Sequence, residues 1–147
     1  MLLVMRMNLS DLLKGDKIKK IEPDPEQAKE CLAASERDLK LAKKMLSADL
    51  DWSFAIAYNS MLQATRALMF TDGYSPIGES YHIIAIDYAK IKFESKFREI
   101  ILLFSDMRKK RNEAVYWEVG IISEHEAKYA IECAEKFLKI VREKLGV

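Results

Sequence analysis

Apolar residues recur along this chain at three- and four-residue intervals, the period of helices with one buried face. The interruptions fall at residues that start or stop helices. Leu9 to Lys14 reads as a short helix, with Asn8 as N-cap, Asp11 three residues later and Gly15 as its stop. Asp16 to Pro23 is charged and reads as a connector. Asp24-Pro25-Glu26-Gln27 has the form of a helix start: an Asp N-cap, Pro at the first helical position and Gln at the third. From there Ala28, Leu32, Ser35, Leu39, Ala42 and Leu46 repeat to about Ser47, a stripe whose small residues let a neighbouring helix come close.

The next segment, about Leu50 to Thr71, is different: no charged residue stands between Trp52 and Thr65. A helix apolar on most faces belongs inside a bundle, so this one predicts the central helix. Asn59, Gln63 and Arg66 lie four and three residues apart and form a polar line on it. Such a line needs partners inside the bundle or at a subunit contact. Asp72-Gly73 ends the helix, and Tyr74 to Tyr81 is the clearest loop in the chain. His82 to about Lys92 reads as a short helix, with His82 a structural group at its start. Glu94 or Ser95 opens a longer helix, and Gly120 marks a break. Ser123-Glu124-His125-Glu126 is a second capping box, with Ala127, Ala130, Ile131, Ala134, Phe137, Val141 and Leu145 on one face behind it and Gly146 as the stop. No strand pattern competes. The expectation is an all-α, up-and-down bundle of about five helices, with residues 1–23 an N-terminal helix and connector and residues 24–147 the bundle domain.

Composition narrows the function classes. A length of 147 residues, half of them hydrophobic, suits one domain with its own core. Only 5 Gly and 3 Pro disfavour a turn-rich β architecture. Lys and Arg total 24 against 23 Asp and Glu, so the net charge of +1 gives no whole-molecule field for nucleic acid. Any such binding must come from a local patch. Cys31 and Cys133 have neither the number nor the spacing of a disulfide framework or zinc site, and neither metal nor cofactor is expected. The apolar run Met1 to Val4 is too short for a signal peptide or a membrane span, which points to a cytoplasmic protein with no membrane role.

One position breaks the pattern. On the helix from Glu94 the apolar stripe runs Phe97, Ile100, Ile101, Phe104 and Met107. At 3.6 residues per turn, Arg111 falls within about 40° of Phe97, Ile100, Phe104 and Met107. A guanidinium thus stands where the pattern calls for an aliphatic side chain. It needs an acidic partner, a subunit interface or a wet cleft. Arg108-Lys109-Lys110-Arg111 is also the densest positive cluster in the chain, followed by Asn112, Glu113 and the pair Tyr116-Trp117. A solvated helix end accounts for Lys109 and Lys110 but not for Arg111, which lies on the apolar face. Aromatic rings beside basic residues are also the ingredients for holding single-stranded RNA.

In these features the chain resembles the HEPN domain, a small all-α family of prokaryotic toxin–antitoxin and other defence systems. The resemblance runs from about Pro25 to the last helix. It is carried by Ala57-Tyr58-Asn59-Ser60-Met61 with Ala64-Thr65-Arg66-Ala67-Leu68, by Gly73-Tyr74-Ser75-Pro76 with Tyr81-His82, and by Arg108 to Tyr116. It implies a homodimer whose paired motifs line one RNA-binding cleft, metal-free RNA cleavage, and a partner nucleotidyltransferase of the MNT type. The ribonuclease motif is an Arg, a polar residue and, after four to six residues, a His. Arg111 and Asn112 match it, but Tyr116, Trp117 and Glu118 occupy the His window. The tyrosine that some toxins carry two residues beyond the His corresponds to Glu118.

That substitution bears on chemistry. An imidazole titrates near neutrality, whereas a phenol, ionising around pH 10, is a poor base at pH 7. General acid–base help is worth about 10²–10⁴-fold, so catalysis is expected to be weak or lost. His125, in the capping box, offers no substitute. The candidate catalytic set is therefore Arg111, Asn112 and Tyr116. Arg108, Lys109, Lys110 and Trp117 are the candidate RNA- or nucleotide-binding set, and Asn59, Gln63, Arg66 and His82 are interface or structural polar groups. An active endoribonuclease using Tyr116 or another group is the alternative, and a helical scaffold without an RNA role is a third reading. On an unbroken helix Arg111 and Tyr116 diverge by about 140°, so their convergence requires a break or a second subunit.

Overall fold

The computed structural model describes residues 8–93 and 97–147. The expected Met1–Val4 run and the helix start at Glu94 or Ser95 lie outside the described residues. The elements in chain order are α1 (Leu9–Lys14), β1 (Ile18–Lys20), α2 (Pro25–Met45), α3 (Leu50–Asp72), β2 (Tyr74–Pro76), α4 (Tyr81–Phe93), α5 (Arg98–Asn112), a π-helical turn (Glu113–Trp117) and α6 (Glu124–Leu145). The bundle of five helices is α2 to α6, and the fold is all-α. Among the described residues no helix is long and apolar enough to cross a membrane.

The helix starts are where the side chains direct them. The Asp24 carboxylate accepts from the Gln27 backbone N–H at 3.0 Å, and the Ser123 and Glu126 pair forms both halves of a capping box. α3 is the central helix. It packs on α2, α4, α5 and α6, and its uncharged stretch is buried on most sides, with Ala57, Ala64 and Ala67 fully enclosed. Against α2 the small residues bring the two backbones together. The Ser35 hydroxyl donates to the Ser60 carbonyl at 2.7 Å, the Ser60 hydroxyl to the Ser35 carbonyl at 2.8 Å, and the Ser53 hydroxyl to the Ala42 carbonyl at 2.7 Å. Seven residues forward on α2 correspond to seven backward on α3, so the two helices run antiparallel.

Two features correct the expectations. The segment Asp16 to Pro23 is not only a connector: β1 pairs antiparallel with β2, Ile18 opposite Pro76 and Lys20 opposite Tyr74. A three-residue strand is too short to carry an alternating pattern, and only Ile18 faces the core. Gly73 makes the pairing possible. It has φ +84°, and a Cβ there would lie 2.8 Å from the Ile21 carbonyl oxygen. Phe97 is also not part of the buried stripe of α5. It precedes the helix in the left-handed region at φ 57°, packs edge-on against Phe93 and stays 44% exposed, so the stripe consists of the buried Ile101, Phe104 and Met107 with Ile100 partly buried against the core.

Candidate functional site

The face of α5 that buries Ile101, Phe104 and Met107 continues into Arg108 and Arg111 at its C-terminal end. Phe104 lies beneath them, with ring centroids 5.6 Å from Tyr58 and 5.5 Å from Phe137. The stems of the two arginines therefore start from rigid core. Neither guanidinium has a carboxylate partner among the described residues. Arg111 is half-buried: one terminal nitrogen donates to Asn112 Oδ1 at 3.1 Å, while its buried Nε has no hydrogen-bond partner. An orphaned charged donor is expensive to keep unless something reaches it.

What it leans on is Tyr116. The guanidinium carbon sits 5.6 Å from the ring centroid, within cation–π range. The π-helical turn brings the two together. The Glu118 N–H donates to the Glu113 carbonyl at 2.8 Å, closing the turn i→i+5. A turn closed at five residues brings residues five apart alongside one another, as an α turn does for residues four apart. This is the break that convergence of Arg111 and Tyr116 requires, and it occurs within one subunit. Beyond it the chain extends at Glu118, and Asp51, in the first turn of α3, accepts from the Gly120 N–H at 2.7 Å and the Ile122 N–H at 3.4 Å. Nothing in the sequence marked Asp51 for this role, because its partners are backbone groups far along the chain.

A cavity of about 600 Å³ opens at this end of the bundle, lined by His82, Arg108, Arg111, Asn112, Tyr116 and Trp117. Its rim is aromatic, with Tyr116 66% and Trp117 85% exposed. All three candidate catalytic residues line it. Of the candidate binding residues, Arg108 and Trp117 do and Lys109 and Lys110 do not. Lys110 instead pairs with Glu126 at 3.1 Å, and the Glu126 carboxyl is held below its usual range chiefly by the Ser123 backbone N–H, with Lys110 adding to it.

The four expected structural polar residues divide. Asn59 donates to the buried Asp38 at 2.8 Å, and Arg66 donates to Gln63 at 3.3 Å while lying over the Phe70 ring. These three serve the α2–α3 side, away from the cavity. His82 bonds the Tyr58 hydroxyl at 3.1 Å through Nδ1 and also forms a wall of the cavity. Burial lowers its pKa, and the nearby Arg111 and Arg108 lower it further, which favours the neutral ring. His125, by contrast, is exposed and does not line the cavity. Among the described residues no group of three or more His, Cys, Asp or Glu could hold a metal ion, and both cysteines are buried thiols whose pKa burial pushes up.

Comparison with known proteins agrees with the resemblance read from the sequence. The family model described as HEPN domain matches residues 26–144, from the first turn of α2 to the last turn of α6. No curated protein sequence matches the chain.

Proposed function

The chain belongs to the HEPN domain family, and from that premise we propose that it binds unpaired RNA at the cavity on the α5 end of the bundle. It does so as a homodimer, within a toxin–antitoxin or defence system. The observation that carries this reading is the half-buried Arg111 guanidinium, which like the neighbouring Arg108 has no carboxylate partner among the described residues, beside two exposed rings. A fork of N–H donors suits a phosphate oxygen pair. Tyr116 and Trp117 offer faces on which splayed bases stack, and stacking reaches only bases outside a duplex. A nucleotidyltransferase of the MNT type, suggested by the family alone, is the protein partner to seek in the neighbouring gene.

Catalysis through the family's motif position is weak or lost, because Tyr116 stands where the motif places an imidazole. An active endoribonuclease is the second reading, favoured by His82 in the cavity wall.

The test is fluorescence titration of a Trp52→Phe background, which leaves Trp117 as the sole indole, with single-stranded and double-stranded RNA over a range of salt. Single-stranded RNA should quench Trp117, and the logarithm of affinity should fall with the logarithm of salt. Arg111→Ala and Arg108→Ala should each weaken binding and reduce that slope by about one. Wild-type protein that binds no RNA even at low salt would overturn the reading.

A further inference from the structure

The family motif leaves its proton-transfer position to a tyrosine, yet the cavity contains an imidazole from a different helix. His82 belongs to the first turn of α4, far along the chain from Arg111. The β1–β2 pairing and the Ile77 N–H bond to the Lys17 carbonyl at 2.8 Å hold the loop that leads into it. Its ring is fixed on two sides. Tyr81 stacks edge-on at 4.3 Å between centroids, and the Tyr58 hydroxyl engages Nδ1. Among the described residues Nε2 has no hydrogen-bond partner, and the residue lines the cavity beside Arg111 and Asn112. A hydrogen bond on one ring nitrogen with the other left open is the arrangement by which proteins fix the tautomer of a working histidine.

We propose that His82 is the group that accepts the 2′-hydroxyl proton of an RNA strand bound in this cavity, in the place that Tyr116 leaves without a base. The inference rests on the RNA-binding reading above. With Nδ1–H donating to the Tyr58 oxygen, the Nε2 lone pair takes the proton. The 2′-oxygen forms a bond to the adjacent phosphorus as the bond from phosphorus to the 5′-oxygen breaks. The 5′-oxygen leaves as a hydroxyl with a proton from water, and the imidazolium returns its proton to the resulting hydroxide. The products are a 2′,3′-cyclic phosphate and a 5′-hydroxyl, with no oxidant, reductant or further reactant. Arg111 faces the charge that builds on the phosphoryl oxygens. Among the described residues the charged and titratable groups around His82 are Arg108 and Arg111 from α5, Tyr58 from α3, Tyr81 beside it and Tyr116 from the π-helical turn. None is a carboxylate, so the ring stays neutral and able to accept a proton at pH 7.

The experiment uses the full chain, a chelator and a labelled single-stranded DNA containing one ribonucleotide, with an all-DNA strand as control. Cleavage should occur only at the ribonucleotide and leave a cyclic phosphate. His82→Gln should lower the rate about 10²–10⁴-fold while changing RNA affinity less than threefold, and added imidazole should restore part of the rate to His82→Ala. The pH–rate profile of the wild-type protein should rise along a limb below pH 6.5 and then level, a readout that stands even if the variants fold poorly. Binding without cleavage overturns the assignment of His82 and leaves the RNA-binding reading intact. Cleavage that is unchanged in His82→Gln, or a profile without that limb, also overturns it. Absence of RNA binding overturns both.

Discussion

The Arg111 guanidinium lies over the Tyr116 ring with 5.6 Å between its central carbon and the ring centroid, although five residues separate the two in sequence. The contact orients a cation that has no carboxylate partner among the described residues. A contact of this type is worth about 0.5–1 kcal/mol at an exposed site. Tyr116→Leu should therefore weaken RNA binding roughly two- to fivefold, whereas Tyr116→Phe, which keeps the ring, should bind as the wild type does. Direct titration of the three proteins at one salt concentration checks this. Equal affinity of Tyr116→Leu and wild type would remove the ring from the account.

Asp51 ties the loop after the π-helical turn to the start of α3 through two backbone N–H groups. Asp51→Ala should cost about 1–2 kcal/mol in chemical denaturation. It should also speed amide exchange at Gly120 and Ile122 before it affects the core. Uniform acceleration across α3 would instead mean that the loop and the bundle open together.

The lowered pKa of His82 sets the sign of a stability change with pH. A histidine that binds its proton less readily folded than unfolded contributes stability that is complete above the unfolded value, about 6.5, and lost as pH falls below it. Thermal midpoints of the wild type should decline between pH 7 and pH 5. His82→Gln should decline less, and the difference between the two curves removes the contribution of the carboxylates, including Asp87, whose raised pKa acts in the opposite direction. Parallel curves would show that the ring titrates as it does in the unfolded chain.

Gly73 should not tolerate a side chain. At φ +84°, with the Ile21 carbonyl oxygen 2.8 Å from where a Cβ would sit, Gly73→Ala combines backbone strain with a close contact. The expected loss is about 1–3 kcal/mol. Because the loop leads to α4, the substitution should also alter the chemical shifts of His82.

Much of the bundle was legible because its signals are local. Asp24, Ser123 and Gly146 act on the backbone of their own turns, and the absence of charge from Trp52 to Thr65 is a property of one segment. The anomaly at Arg111 was legible for the same reason, since periodicity places one residue relative to its neighbours on a single helix. What could not be read depends on partners distant in sequence. β1 owes its strand to β2, and His82 enters the cavity only because α3 and α5 put Tyr58 and Arg111 beside it. Periodicity already set Lys110 apart from Arg111 as a solvated cation, but its pairing with Glu126 depends on where α6 lies.

The wide turn at Glu113–Trp117 also shifts phase. It takes up one more residue than the α turn it replaces, so every side chain after Glu113 emerges at an angle that 3.6-residue counting misassigns. On an unbroken helix Tyr116 would lie about 140° round from Arg111, and the wide turn carries its ring back to the Arg111 side. The i→i+5 closure of this turn, which ends with the Glu118 N–H bond to the Glu113 carbonyl, thus sets which way the aromatic rim faces. Insertions or deletions of one residue in this turn should rotate the rim as a unit and displace the buried Ala114.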